Sequence, residues 1–255
     1  MRSHPTLSER LASQADLLGI LQAFPNSIFT ELAGLSGYDF LFLDCEHGTF
    51  AEADVIHALQ VAASVSLPVM VRVRGHDPMD IGRVMDFGAQ GVIVPNVETA
   101  AQAKALAAAM IYPPAGTRGF AAPSHRASAY GLDLPAHRDA PRADVLLVVI
   151  IESMRGVENS DDILAVDGVD AVFIGPSDLS AALGGVGNFE ASAYTTALQR
   201  VEHAARIHGK TVGMPPHPGQ TIDVLRARGH RLFILGSDTA LIRQSMSEQL
   251  ARARG

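Results

Sequence analysis

The stretch Val145–Ser180, VLLVVIIESMRGVENSDDILAVDGVDAVFIGPSDLS, decides the fold class. It contains two unbroken apolar runs, Val145–Ile151 and Ala171–Ile174, which are typical of strands buried on both faces of a parallel sheet. The residues between them include one helical repeat, Asn159–Val166. A strand, a helix and a second strand form a βαβ unit, so the two strands are expected to be neighbours that end at the same edge of the sheet.

A carboxylate follows each of these strands. Glu152 comes directly after the first apolar run, and Asp178 lies four residues after the second. The shared edge brings the two acidic side chains side by side, where they repel each other unless a cation lies between them. Carboxylate oxygens suit Mg²⁺ or Mn²⁺, so the sequence predicts a divalent metal site here. The alternative for Asp178 is a structural role, because an acidic residue in the first turn of a helix also complements the helix dipole.

The composition limits the functional classes. The chain has 255 residues, of which 47% are apolar, and its formal net charge of −7 argues against a basic surface for nucleic acid. No apolar run approaches the ~18 residues that a membrane helix needs, and the first residues lack the apolar core of a signal peptide. Cys45 is the only cysteine, which excludes an intrachain disulfide and a zinc site built from cysteines. We therefore expect a cytoplasmic protein without membrane or nucleic-acid partners.

Strand and helix patterns alternate along the whole chain. The predicted strands are Leu17–Ala23, Phe40–Leu43, Pro68–Val73, Gly91–Val94, Val145–Ile151, Ala171–Ile174, Lys210–Met214 and Arg231–Leu235. A helical pattern follows each of them, and the last is Asp238–Arg252. Eight alternations in about 250 residues match an α/β fold of the (β/α)8 TIM barrel type, as a single domain over residues 1–255. An open doubly wound sheet is the rival, but no glycine-rich phosphate turn follows the first strand.

The loops that follow the strands of such a barrel carry its chemistry. The loop after strand two holds Asp44, Glu46 and His47, and strand three carries Arg72 near its end. Imidazole titrates near neutral pH, so His47 is a candidate acid or base, with a structural role as the alternative. Arg72 lies in an apolar strand and keeps its charge, so it needs an anion. That anion is a bound carboxylate, which guanidinium matches bidentately, or it is Asp44 or Glu46.

Lysine is present only as Lys104 and Lys210. The first lies in an alanine-rich helical pattern, and the second precedes strand seven, at the rim opposite to the predicted chemistry. Schiff-base catalysis needs a lysine within the active site. An enzyme that stabilises a carbanion on this scaffold therefore needs a metal ion instead.

Several motifs resemble those of one enzyme family. They are LDCEHG (43–48), VRVRG (71–75), DFGAQGVIVPNVETAAQA (86–103), YPPAGTRG (112–119), IESMRGVEN (151–159), GVDAVFIGPSDLS (168–180) and GSD (236–238). The pairing of YPPAGTRG with FIGPSDLS is the most specific of these signals. Together the motifs make nearly the whole chain similar to the HpcH/HpaI family of class II, pyruvate-dependent aldolases.

The resemblance implies a fold, a reaction and a metal. The family is a (β/α)8 barrel that uses a divalent cation (Mg²⁺, Mn²⁺ or Co²⁺) to cleave or form 4-hydroxy-2-oxo acids from pyruvate and an aldehyde, through a metal-stabilised pyruvate enolate. By similarity, Glu152 and Asp178 hold the metal. His47 is the acid/base, oriented by Asp86 in a His–Asp pair.

The resemblance also assigns the contacts of pyruvate and the assembly. Arg72 touches the carboxylate or keto oxygen, with Asp44 as support behind it. The backbone of Gly175, Pro176 and Ser177 lines the carboxylate pocket. A hexamer built as a trimer of dimers is implied, in which dimers exchange the last helix, Asp238–Arg252.

One position departs from the family pattern. Many members have glutamine two residues before the metal-binding glutamate, where its amide reaches the pyruvate or a metal-bound water, whereas this chain has Ile150. Isoleucine has no hydrogen-bonding group, so one polar contact is lost. This points to a weaker orientation of pyruvate, or to a changed substrate or reaction.

Three expectations stay open at this stage. Related enolate chemistry, as in an oxaloacetate decarboxylase or a CoA-ester lyase, is the nearer rival, and a non-catalytic relative that binds metal and 2-oxo acid is the other. For a CoA ester, the cationic groove would come from Arg118, Arg126 and Arg138. The segment Ala121–Arg142 is expected to shape the aldehyde pocket.

Overall fold

A computed structural model describes residues 6–139, 142 and 144–254 of the chain. Eight parallel strands pair in sequence order and close through β1 and β8, which confirms the (β/α)8 TIM barrel. The strands are β1 (Leu17–Gln22), β2 (Phe40–Asp44), β3 (Val69–Arg72), β4 (Gly91–Val94), β5 (Leu146–Ile151), β6 (Ala171–Ile174), β7 (Thr211–Met214) and β8 (His230–Ser237).

The helices cover the outside of this barrel. The described part of the chain has the α-helices α1 (Leu7–Ala12), α2 (Ser27–Leu35), α3 (Glu52–Ser64), α4 (Pro78–Asp86), α5 (Ala100–Ala109), α6 (Leu134–Asp139), α7 (Met154–Glu158), α8 (Ser160–Leu164), α9 (Pro176–Ala182), α10 (Ser192–Ile207), α11 (Ile222–Ala227) and α12 (Asp238–Arg254). None of these helices combines the length and the apolar character needed to cross a lipid bilayer.

The predicted strands lie close to the observed strands. The predicted and observed helices differ where the observed helices are short. The predicted helix Asn159–Val166 is two short helices, α7 and α8, which meet at Asn159. Neither α1 nor α9 was expected, because a helix of six or seven residues is too short to show a helical period in the sequence. The helix α9 begins with Pro176 directly after β6, a position that proline favours.

The interior of the barrel is an apolar core of its own. Inward-facing side chains of successive strands fill it, among them Phe40, Met70 and Val148. Leu7 and Leu11 of α1 pack against the same core and close the amino-terminal end of the barrel. A second, larger core lies between the strands and the surrounding helices. The carboxyl-terminal end of the barrel is therefore the end left for a ligand.

The long connection between α5 and β5 lies at the amino-terminal end. A helix of this fold ends where the next strand begins, so a segment between them stays at that end. Arg142 contacts Gly168 and Asp170 just before β6, and Arg126 donates to the carbonyl of Phe87 before β4. The prediction that Ala121–Arg142 shapes the aldehyde pocket is therefore wrong within one chain. Ala140 and Pro141 of this segment lie outside the described residues.

The cationic groove expected from Arg118, Arg126 and Arg138 is likewise not formed at the carboxyl-terminal end within one chain. These residues belong to the connection at the amino-terminal end of the barrel. Arg118 is buried there and forms an ion pair with Asp86.

Candidate active site

Seven of the predicted site residues line one cavity at the carboxyl-terminal end of the barrel. The cavity has a volume of about 280 Å³. These residues are His47, Arg72, Glu152, Gly175, Pro176, Ser177 and Asp178. Asp44 lies directly behind Arg72, and Asp86 lies elsewhere.

Arg72 is held by carboxylates of the protein itself. The register of β2 and β3 places Asp44 opposite Arg72. Nε and Nη2 of Arg72 donate to the two carboxylate oxygens of Asp44 at 2.9 and 2.6 Å, and Nη1 lies 3.1 Å from Glu46 Oε2. Of the two alternatives left open by the sequence, the ion pair within the protein is found, and a contact of Arg72 with a bound carboxylate stays a prediction. Guanidinium has five N–H groups, and Asp44 accepts from two of them, so Nη2 keeps one N–H and Nη1 keeps both of its own for a ligand.

Asp44 also fixes the loop that carries His47. Its Oδ1 accepts hydrogen bonds from the backbone N–H groups of Glu46 and His47 at 3.0 and 3.2 Å. A Cβ atom at Gly48 would lie 2.0 Å from the Asp44 carbonyl oxygen, so only glycine fits there. Burial acts to raise the pKa of Asp44, but the hydrogen bonds and charge of Arg72 and the two backbone bonds lower it overall. Asp44 is therefore ionised at neutral pH.

Glu152 and Asp178 form the acidic wall of the cavity. Glu152 Oε1 accepts a hydrogen bond of 2.8 Å from the backbone N–H of Asn96, a residue in the left-handed conformation with φ 49°. Burial and the charge of Asp178 raise the pKa of Glu152, while the Asn96 bond and the charge of Arg72 oppose the shift. The two carboxylates thus interact unfavourably, and the nearby guanidinium is already matched by Asp44 and Glu46.

Glu46 is a site residue that the sequence reasoning left out of the predicted set. Its Oε2 is buried, and its contact with Arg72 lacks hydrogen-bond geometry, so that oxygen has no hydrogen-bond partner. Burial raises the pKa of Glu46, and the charge of Asp178 adds to this effect, against that of Arg72. Its place in the loop after β2 was the available signal, but that signal did not separate it from Asp44.

The donor set fits a hard divalent cation. Two carboxylates, one of them beside a glycine that leaves room for it, are a usual protein contribution to a Mg²⁺ site, where water and substrate supply the other ligands. The described residues contain no group of three or more His, Cys, Asp or Glu side chains placed to hold a metal. A closed site with four protein ligands, as in structural zinc, is therefore not what Glu152 and Asp178 would build.

His47 and Asp86 do not form a pair within the described chain. The imidazole of His47 is 67% exposed at the mouth of the cavity, and its Nε2 lies 3.7 Å from Glu46 Oε2. Asp86 is the last residue of α4, which runs antiparallel to the strands and ends at the opposite rim. There its Oδ1 accepts a hydrogen bond of 2.6 Å from Arg118 and lies 3.4 Å from His125 Nε2. The predicted pairing is therefore wrong for a single chain.

Ile150 lies inside the site, as the departure from the family pattern implies. It lines the cavity two residues below Glu152 on β5 and is 2% exposed. The position that carries an amide in many family members is thus part of an apolar floor.

Replacing Gly175 with alanine tests how tightly Glu152 is seated. The new Cβ would lie 2.5 Å from Glu152 Oε2, so the carboxylate or the backbone after β6 must shift. We expect the free energy of unfolding to fall by roughly 1–3 kcal/mol, as for other overpacked sites. Gly236→Ala is the matched control at the same rim, because nothing lies within 4 Å of its added Cβ. Equal urea denaturation curves for the two variants would contradict this account of Gly175.

Glu152→Gln tests the repulsion between the carboxylates. The folded-state pKa of Glu152 is raised, so the wild type loses stability as pH rises through that value, whereas glutamine does not titrate. With a chelator present, the variant should therefore be the more stable protein at about pH 8, and the difference should shrink toward about pH 5. Urea denaturation at both pH values measures it, with the exposed Asp223→Asn as control. A difference that does not change with pH would speak against the repulsion.

Comparisons with known proteins agree with this fold and site. The family model described as HpcH/HpaI aldolase/citrate lyase matches residues 22–245. The chain is 37% identical over 243 residues to the 5-keto-4-deoxy-D-glucarate aldolase of Klebsiella pneumoniae, covering 95% of this chain and 94% of that protein.

Two solved structures extend the comparison. An HpcH/HpaI aldolase/citrate lyase family protein from Burkholderia cenocepacia superposes with a TM-score of 0.90 at 31% identity, over 98% of this chain and 99% of that one. The citrate synthase SbnG superposes with a TM-score of 0.87 at 29% identity, over 98% of this chain and 97% of that one. The chain therefore belongs to the HpcH/HpaI aldolase/citrate lyase family, and it is a carbon–carbon lyase of the aldolase type.

Proposed function

We propose that this enzyme is a divalent-metal-dependent aldolase that cleaves or forms 4-hydroxy-2-oxo acids, with pyruvate as the 2-oxo acid. The observation that carries the proposal is the pair of carboxylates, Glu152 and Asp178, facing one cavity while the charge of Arg72 is already matched by Asp44 and Glu46. Two carboxylates that lack a cation of the protein are suited to binding one from solution.

Glu152 and Asp178 would hold the cation, which we propose to be Mg²⁺, Mn²⁺ or Co²⁺. When bound, such a cation supplies Lewis acidity that stabilises the negative charge that develops as the carbon–carbon bond breaks. The backbone of Gly175, Pro176 and Ser177 lines the same wall and receives the pyruvate carboxylate. The N–H groups that Nη1 and Nη2 of Arg72 keep reach the keto oxygen or the carboxylate, and Asp44 holds the guanidinium in place as a positioning residue.

His47 has the proposed role of acid and base. In cleavage it takes the proton of the substrate 4-hydroxyl, directly or through water, and the C3–C4 bond breaks to release the aldehyde. The electron pair of that bond stays with C3, which takes up a proton to give pyruvate. Its exposed position at the mouth of the cavity lets His47 exchange that proton with solvent.

Related enolate chemistry in the same cavity, such as oxaloacetate decarboxylation, is the second candidate. Ile150 favours it, because this residue removes a polar group from the floor of the site. The 29% identity to a protein named as a citrate synthase also shows that the barrel is not tied to one reaction. Within one chain, a CoA-ester lyase lacks the groove expected of it, since Arg118, Arg126 and Arg138 lie at the opposite end of the barrel. A non-catalytic relative is set aside because the chain is a carbon–carbon lyase.

Exchange of the pyruvate methyl protons with deuterated water tests the proposed reaction. The full chain should exchange them in the presence of Mg²⁺, Mn²⁺ or Co²⁺ and not with a chelator, and Glu152→Gln and Asp178→Asn should each lower the rate by about 100-fold. His47→Gln should lower aldol turnover while leaving Mn²⁺ affinity, measured by electron paramagnetic resonance, unchanged. Asp223→Asn is the control, since its carboxylate is exposed and does not line the cavity.

Cleavage assays then separate the candidates. The compound named for the relatives, 5-keto-4-deoxy-D-glucarate, is compared with oxaloacetate and a CoA thioester. Pyruvate exchange or cleavage at full rate in chelator would contradict the proposal, and turnover of oxaloacetate alone would favour the second candidate.

Two features of a single chain support a homo-oligomer. The helix α12 is exposed from Leu241 onward, with Ile242, Met246 and Leu250 spaced at one face. A second apolar face on α2 is exposed at Ile28, Leu32 and Leu35. Exchange of the last helix between two copies would cover such faces. We propose this exchange, within a hexamer built as a trimer of dimers.

The same assembly is needed for the proposed His47–Asp86 pair. Asp86 lies at the far rim of its own barrel, so it can orient His47 only from another copy of the chain. The proposed roles of Asp86 and of the exchanged helix are thus linked. A cytoplasmic location stays a prediction.

Met246→Asp tests the exchange of α12. A charge on the apolar face of the helix should prevent its burial against another copy and so lower the assembly mass, measured by size-exclusion chromatography with light scattering. Gln244→Asp, on the opposite face of α12, is the matched control and should keep the mass. A monomeric wild type, or equal masses for both variants, would contradict the exchange.

A further inference from the structure

A second cavity lies at the amino-terminal rim, at the end of the barrel opposite to the candidate active site. Its volume is about 580 Å³, and most of its residues come from the last turns of α10, the turn after α11 and the beginnings of β7 and β8. It lies outside the interior of the barrel, which α1 closes at this end. The proposed reaction gives this cavity no role.

The charge of this rim cavity is opposite to that of the chain. Of the described residues that line it, one is a carboxylate, Glu202, and four carry a positive charge, Arg206, Lys210, Arg228 and Arg231. The whole chain has 27 acidic residues and 20 lysines and arginines. A concave basic surface on an acidic protein raises the local concentration of small anions.

The carboxylates nearby are already matched within the protein. Glu202 Oε2 accepts a hydrogen bond of 2.9 Å from Arg228 Nη2, and its Oε1 lies 2.7 Å from Nε2 of the buried His230. Asp16 Oδ1 lies 3.8 Å from Arg231 Nε, beyond hydrogen-bond distance, and its other oxygen accepts from Arg226 at 2.7 Å. Glu202 therefore neutralises Arg228 but not the other cations of the rim cavity.

Lys210 and Arg206 have no carboxylate partner among the described residues. Lys210 Nζ donates to the carbonyl of Val169 at 2.7 Å, which leaves two of its three N–H groups for a ligand. Arg206 Nη2 lies 2.7 Å from Nδ1 of His203, and because guanidinium cannot accept, the imidazole nitrogen is the acceptor. Lys210 is half-buried, so an anion from solution would compensate the lost hydration of its charge.

The helix dipole accounts for only part of this basic lining. Arg206 lies in the last turn of α10, where a cation complements the dipole of the helix. Lys210 precedes β7 and Arg231 lies on β8, so neither belongs to a helix. Two residues further along, Val212 and Phe233 belong to the core between strands and helices. By the alternation of a strand, Lys210 and Arg231 face the same side as these residues, toward the helices.

We propose that the rim cavity binds a small phosphate ester. A phosphate monoester carries about −1.5 to −2 charge at pH 7 and three acceptor oxygens, so it matches the converging donors better than a carboxylate does. The guanidinium groups of Arg206 and Arg231 suit phosphate geometry, and Lys210 adds a compact charge. A volume of about 580 Å³ exceeds a phosphate group, and Gln199 and Thr211 can bond hydroxyl groups of the attached part.

Calorimetric titration of the full-length protein tests this site. The ligands are glycerol 3-phosphate, inorganic phosphate and D-glycerate, none of which has the aldehyde or keto group of an aldol substrate. A chelator removes divalent cations that would bind these anions at Glu152 and Asp178, and chloride keeps the ionic strength constant. We expect saturable binding of both phosphate compounds, with glycerol 3-phosphate at least about tenfold tighter than D-glycerate.

Substitutions in the rim cavity test which residues bind the phosphate. Arg206→Gln and Lys210→Gln should each weaken glycerol 3-phosphate binding by about tenfold, because each removes a charged donor. Arg206→Lys keeps the charge and should keep most of the affinity. Arg200→Gln is the matched control, since Arg200 is an exposed residue of the same helix that does not line the cavity.

Three outcomes would overturn the phosphate site. The first is no saturable binding of either phosphate compound, as expected if an acidic side chain of another copy fills the cavity. The second is an unchanged affinity in both variants, and the third is D-glycerate binding as tightly as glycerol 3-phosphate. If Lys210→Gln does not fold, Arg206→Gln decides, because Arg206 is exposed. Pyruvate proton exchange plays no part in these titrations, so this site and the proposed function are tested separately.

Discussion

The repulsion between Glu152 and Asp178 is the constraint around which the site is built. The guanidinium of Arg72 does not relieve this repulsion, because its charge is already matched within the protein. Its Nε and Nη2 donate to Asp44, and its Nη1 lies 3.1 Å from a carboxylate oxygen of Glu46. Burial and the neighbouring charge therefore raise the pKa of Glu152. Such an arrangement opposes folding, and a fold keeps it only where the surrounding structure supplies the stability. The closed barrel with its two apolar cores is that surrounding structure.

The fold and the acidic wall followed from the sequence because both depend on strand ends. Buried strands are visible as unbroken apolar runs, and the residue after each run lies at the carboxyl-terminal rim whatever the register. This located Glu152, Asp178 and His47 around one cavity. The partner of Arg72 stayed open, because a choice between Asp44 and a ligand depends on the register of β2 and β3. That register pairs Asp44 with Arg72, and the sequence alone does not fix it.

The predictions that a single chain does not meet concern which end of the barrel a segment occupies. Asp86 was assigned to His47 through resemblance, and the long segment before β5 was assigned to the aldehyde pocket. Both lie where a helix ends, which in this fold is the amino-terminal rim. Resemblance to a family indicates the role of a residue, but it does not tell which subunit of an oligomer supplies that residue. Chain direction alone would have shown that one barrel cannot bring Asp86 to His47.

The two sides of the active-site cavity differ in what their residues contact. On the acidic side, glycines are fixed by contacts with the backbone or a carboxylate, since a Cβ at Gly48 would lie 2.0 Å from the Asp44 carbonyl oxygen and one at Gly175 would lie 2.5 Å from Glu152 Oε2. The facing wall is formed by the side chains of Leu21, Pro215 and Ile234. In the proposed reaction, a scaffold divided in this way would keep the residues of the 2-oxo acid end while those that contact the second substrate vary. The relatives of this chain share the barrel and carry the names of different reactions.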